Sequence, residues 1–172
     1  MMNQLSLSNW ADIADIISGL SIVGGLLFGL IQIRHYRAQQ REAIATNLTQ
    51  TFYSKDLAHA LALLQELPNG IGLQAMRARG QHYVEAAITV TTSFETMGLL
   101  VYKRIAPLNL VVDLAGGVIS VMADKLSQWQ EDVRKEQNQP SWGEWFDWLN
   151  IQVKRESEES EPAHIRYRDW QP

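Results

Sequence analysis

Ile16-Ile-Ser-Gly-Leu-Ser-Ile-Val-Gly-Gly-Leu-Leu-Phe-Gly-Leu-Ile-Gln-Ile33 carries no charge, and its reading decides the fold. At 1.5 Å per helical residue it reaches roughly 27 Å, close to the ~30 Å hydrocarbon core of a bilayer. Asp12 and Asp15 precede it; Arg34, His35, Arg37 and Arg41 follow. A secretory signal would open with Lys or Arg and close on a small-residue cleavage site. Residues 1–15 hold neither Lys nor Arg, and the run leads into Gln-Ile-Arg-His-Tyr-Arg. The segment therefore reads as a retained membrane span, with a buried core helix as the alternative at this length. The positive-inside rule makes Arg34, Arg37 and Arg41 the topology determinants, leaving residues 1–15 as a short extracytoplasmic stub. Ser21, Gly25 and Gly29 recur every four residues on one face, where a neighbouring helix can approach closely. The alternative is that glycine is simply common in membrane helices.

Outward from the span, the chain reads as all-α. Residues 34–53 contain no Pro or Gly, so the helix is expected to continue as a juxtamembrane stalk, with Tyr36, Ile44, Leu48 and Phe52 on one ridge. Ser54 reads as the cap of a second helix with Leu57, Leu61 and Leu64 buried, stopped by Pro68-Asn69-Gly70. A third helix from about His82 to Arg104 carries apolar residues on more than one side, which marks it as central, and Pro107 ends it. Leu108 to Leu114 reads as a short segment leading to Gly116-Gly117. A fourth helix then buries Val118, Met122, Leu126, Trp129 and Val133. Pro140 breaks the chain, and Ser141 with Glu144 predicts a capping box for the last helix, lined by Trp142, Trp145, Phe146, Leu149 and Val153. Residues 54–154 thus form a small cytoplasmic helical domain, and 155–172 a charged and aromatic tail.

Composition narrows the function. The chain has 172 residues, 46 % apolar content, a net charge of −4 and no cysteine. Enough chain remains beyond span and tail for one small core. The acidic balance argues against nucleic acid as a partner. Thiolate nucleophiles, disulfides and thiolate zinc sites are excluded.

Gln32-Ile-Arg-His-Tyr-Arg37, Phe94-Glu-Thr-Met-Gly-Leu-Leu-Val101, Asp113-Leu-Ala-Gly-Gly117, Trp129, Arg134 and the aromatic stretch from Pro140 to Trp148 together carry a resemblance. The chain resembles an uncharacterised bacterial family, domain of unknown function 4760. That resemblance implies one amino-terminal membrane helix and a small helical cytoplasmic domain in the bacterial inner membrane. It implies no activity, substrate or catalytic residue, and it does not extend securely to the tail.

Two carboxylates lie within apolar stretches, Glu95 and Asp113. Either is a candidate general acid or base if burial raises its pKa. The simpler expectation is structural: each is buried and neutralised by Arg104 or Arg134, or satisfied by helix-end amides. His35, His59, His82 and His164 lack metal-ligand spacing, and no dinucleotide fingerprint or P-loop is present. Gly116-Gly117, read as a helix start, offers amides to an anion or is a bare turn. No cofactor and no metal are expected. Trp148 falls off the inner stripe of the last helix and reads as an interface residue. So do Arg166, Tyr167, Arg168 and Trp170, because a purely solvating tail rarely needs aromatic residues. The tail is expected to dock on its own domain or on a partner.

The leading expectation is a non-catalytic accessory or scaffold subunit. Its span would pack against other membrane-protein subunits in the bilayer, preferably a hetero-complex, and its domain would cover the cytoplasmic face. The alternatives are a homo-oligomeric sensor or pore, and an enzyme using a buried carboxylate on a membrane-delivered substrate.

Overall fold

The computed structural model describes the backbone of residues 7–52, 54–159 and 161–171. Side chains are described from residue 20 onward, except at 37, 38, 40–42, 45, 47, 51, 53, 159, 160 and 172. Seven helices follow in order among the described residues, with no strand: α1 (Leu7–Phe52), α2 (Lys55–Gln65), α3 (Leu73–Arg79), α4 (Gln81–Tyr102), α5 (Leu108–Gln137), α6 (Glu144–Glu159) and α7 (Ala163–Arg166). The all-α expectation holds. The chain divides into two units, residues 1–43 and 44–172.

In the first unit the backbone is helical from Leu7, well ahead of the expected start at Ile16. The side chains of Arg37 and Arg41 lie outside the described residues. Leu20–Tyr36 is an apolar helical stretch.

The second unit is a helical domain with α4 at its centre, packed against α2, α3, α5 and α6. The reason is visible in its sequence: Val84, Ala87, Val90, Phe94, Met97 and Val101 point to more than one side and are all buried. Among the described residues α4 alone is long and apolar enough to cross a membrane, yet half of it is buried in the domain, which identifies a core helix. Gly98 lets α6 cross closely, since a Cβ there would overlap the carbonyl oxygen of Trp145. The second face of the core comes from Ile119, Met122, Leu126 and Trp129 of α5, and from Phe146, Leu149 and Val153 of α6. Leu48 is also buried in this core, and Ile44 and Phe52 pack against it. These residues make the carboxy-terminal part of α1 a piece of the domain, so the compact unit starts ahead of residue 54.

Ser54 caps α2 by accepting from Leu57 N at 3.3 Å, and Gly70 at φ +67 completes the turn after it. Three expectations need correction, those for Leu108–Leu114, Gly116-Gly117 and Ser141, and one helix was not foreseen. A short helix, α3, was not legible at 73–79; it buries only Leu73 and Met76 between two glycines, too brief a pattern to declare itself. Leu108–Leu114 is no separate segment, because α5 is continuous from Leu108 with Pro107 at its N-cap, where a proline's missing N–H costs nothing. Gly116 and Gly117 therefore sit inside a helix and form neither a turn nor an anion cradle. Gly116 is small because Val112 and Val153 crowd it. Ser141 is not the N-cap of α6: its carbonyl accepts from Glu144 N at 3.2 Å in a turn preceding the helix. The last helix, α6, extends to Glu159, so the first residues of the charged tail form its solvated end.

Candidate functional site

Glu95, on the α4 face turned toward α6, is half-buried, and its Oε2 accepts from the backbone N–H of Phe146 at 2.9 Å. The amide of Trp145 adds to this. Free N–H groups at a helix start attract a carboxylate, and here the carboxylate comes from a different helix. Burial pushes the Glu95 carboxyl above its usual range. The two amides pull it down, and the nearby Glu144 and Asp147 push it up again. Among the described residues no arginine pairs with it. Arg134 instead donates from Nε to the carbonyl of Trp142 at 2.7 Å and pairs with Asp147 at 2.5 Å.

The same device recurs once, and its mirror image once, at positions that sequence reasoning did not single out. Asp132 on α5 accepts from Leu73 N at 2.9 Å at the start of α3, and from the side-chain amide of Gln128 at 2.8 Å. Those two hydrogen bonds hold its carboxyl below the usual range. Gly72 admits that approach, since a Cβ there would meet Asp132 Oδ2 at 3.0 Å. Lys125, buried in α5, donates to the carbonyls of Leu67 and Gln65 at the other end of α2. Cations suit helix carboxyl ends for the reason that carboxylates suit their starts. No local pattern announces either residue, because both partners are about sixty residues away.

Beside the Glu95 cap lies a cleft of about 190 Å³, lined by Thr91, Thr92, Glu95, Gln139, Ser141, Trp142 and Gly143. Gly143 adopts φ +70, and a Cβ on it would overlap Gln130 Oε1. A larger groove of about 490 Å³ runs between α5, α6 and the tail, past Asn109, Asp113, Glu156, Glu161, Arg166 and Tyr167. Asp113 is exposed there, which corrects its expected burial: α5 turns Val111 and Ala115 inward and leaves position 113 outside.

Trp148 is half-buried and packs on the core, so it does not project freely. It forms an aromatic cluster with Tyr102 and Trp145, with ring centroids 5.8 and 6.1 Å away. Tyr102 and Trp145 lie at 4.5 Å. In the tail, Arg166 lies over the Tyr167 ring at 4.7 Å, while Arg166, Tyr167, Arg168 and Trp170 are all exposed. Ser21, Gly25 and Arg34 are exposed and Gly29 is half-buried; a Cβ at either glycine would meet nothing within 4 Å. Among the described residues no group of three His, Asp or Glu is placed to hold a metal ion.

An exposed apolar helical stretch and a helical domain, in which Glu95, Asp132 and Lys125 bond to the ends of other helices, make up an all-α protein. The chain belongs to the family described as Domain of unknown function (DUF4760), whose model matches residues 19–152, from the apolar stretch to the body of α6. No curated protein and no solved structure matches it.

Proposed function

We propose that this protein is a non-catalytic, single-pass membrane protein of the bacterial cytoplasmic membrane. Its amino terminus lies outside, and its helical domain serves as an accessory or scaffold element on the cytoplasmic face. One observation carries the reading: every large apolar residue from Leu20 to Ile33 is 53–67 % exposed. A helix that is apolar all round and meets water would be strongly unfavourable, at roughly 25 cal/mol per Å² of apolar surface. A bilayer removes that surface from water without any protein partner. The span would then pack through Ser21, Gly25 and Gly29 against helices of other subunits, a hetero-complex in preference to copies of itself. Arg34, Arg37 and Arg41 would set the orientation. Glu95, the best acid–base candidate, is committed to the α6 amides, which favours a structural role over chemistry.

The test is extraction and topology together. Alkaline carbonate is expected to leave the full chain in the membrane pellet, and a reporter after Pro172 is expected to be cytoplasmic. Release into the supernatant removes the anchor, and an external reporter reverses the orientation. Mass analysis of the particle in mild detergent separates a hetero-complex from identical copies; a lone chain would overturn the accessory role.

A further inference from the structure

The carboxy-terminal end of α4 presents an unusual surface. Tyr102 is 52 % exposed beside the half-buried rings of Trp145 and Trp148, and Ile105, just past the helix end, is 49 % exposed. Ile151, one turn beyond Trp148 on α6, and Leu99, one turn before Tyr102 on α4, are exposed too. Two cations stand among them. Lys103 places its Nζ 5.6 Å from the Tyr102 ring centre, and Arg104 is exposed. Carboxylates facing the same region are mostly engaged elsewhere: Glu95 on the α6 amides and Asp147 on Arg134, with Glu144 left exposed one turn before Trp148.

The backbone here is fixed. Ile105 N donates to Leu100 O at 3.0 Å and Arg104 N to Val101 O at 2.9 Å, the bonding pattern of a Schellman motif. Its left-handed position, normally glycine, is Arg104 at φ 56. An arginine held where glycine is favoured suggests that its side chain is used. The motif locks Lys103, Arg104 and Ile105 as one rigid outward turn.

We infer that this patch is a second membrane contact, seating the domain on the headgroup region of an anionic bilayer. The chemistry fits that occupant on both counts. Tryptophan and tyrosine pair an apolar ring with a polar edge and collect at the bilayer interface. Lys103 and Arg104 complement anionic headgroups, while the aliphatic Ile105 enters the acyl boundary. The inference rests on the proposed anchor only for proximity. Residues 37–43 alone join the apolar stretch to the domain, so a membrane held by the first stays at high effective concentration for the second.

The chain has no cysteine, so single nitroxide labels can be placed cleanly. The full chain would carry Ile105→Cys, or Lys103→Cys as a second probe of the same turn. Glu131→Cys, at an exposed position of α5, serves as the water control, and Phe28→Cys reports the anchor. Each is reconstituted into vesicles of phosphatidylcholine alone or with phosphatidylglycerol. The expected result at 105 is gain of oxygen accessibility and loss of nickel-chelate accessibility in the anionic vesicles, diminished without phosphatidylglycerol or with Arg104→Gly. Label 131 stays aqueous throughout. Label 28 in hydrocarbon with label 105 as aqueous as label 131 overturns the patch and leaves the anchor standing. Label 28 in water with label 105 in lipid supports the patch and removes the anchor. Label 105 shielded from both reagents and broadened by a neighbouring spin means that a second copy covers the patch, and also overturns the inference.

Discussion

The carboxylate of Glu95 in α4 and the backbone amide of Phe146 in α6 meet at 2.9 Å across 51 residues of sequence. This contact joins the central helix to the start of α6, just where Gly98 lets the two backbones approach. It turns a residue with the sequence profile of a catalytic acid into a cap.

Its pH signature follows from the raised carboxyl. A folded-state pKa above the unfolded value means that the folded protein binds more protons through that window. Stability from this group is therefore greatest below the ordinary glutamate range and is lost as pH rises through the raised value. Glu95→Gln retains an acceptor without the charge and is expected to flatten this dependence in thermal melts across pH. Glu95→Ala removes the cap and is expected to cost about 0.5–2 kcal/mol, the range for an N-cap. A Glu95→Gln protein with the wild-type slope would sink the assignment.

Asp132 carries the opposite sign. Its depressed carboxyl contributes stability at neutral pH, which is lost as pH falls through the folded value. Asp132→Asn is expected to weaken only the acid limb of the stability profile. Lys125→Met, by contrast, strands the carbonyls of Gln65 and Leu67 and is expected to cost about 1–3 kcal/mol, read from denaturant midpoints.

Two glycines on neighbouring helices are expected to respond in opposite directions. Gly98→Ala drives a methyl into the backbone of Trp145 and should destabilise by about 1–3 kcal/mol or more. Gly117→Ala meets nothing within 4 Å in mid-helix and should stabilise by about 0.5–1 kcal/mol. A destabilised Gly117→Ala protein would return that position to a turn.

Deleting Ala163 to Pro172 is expected to leave the melting temperature unchanged. Ile165, Tyr167 and Trp170 are 42, 55 and 68 % exposed, so little burial is lost. A fall of several degrees would mean that the tail is held on its own domain. Weakened complex formation at unchanged stability would place its aromatic residues on a partner.

Replacing Gly25 and Gly29 together by Leu tests the small-residue face. Open space surrounds both in the isolated chain, so the domain should fold as before, with its melting unchanged. The particle in mild detergent should come apart, because close backbone approach is blocked. An intact particle would leave assembly to the helical domain.

The sequence by itself determined the elements whose signals are local. A charge-free run, the Ser54 cap, the Pro68-Asn69-Gly70 stop and the many-sided apolar pattern of α4 each declare themselves within a few turns. Gly116-Gly117 misled because glycine reads as a break, although a long helix tolerates it where a neighbour such as Val153 needs the room. Asp113 misled because apolar neighbours in sequence do not place a residue on the inner face of its helix. Only the tertiary structure decided what three charges turned toward other helices do. Glu95, Asp132 and Lys125 complete the ends of helices elsewhere in the chain, and a helix end offers its unpaired amides or carbonyls to whatever packing brings near. Such partners are set by crossing geometry and leave no spacing to read.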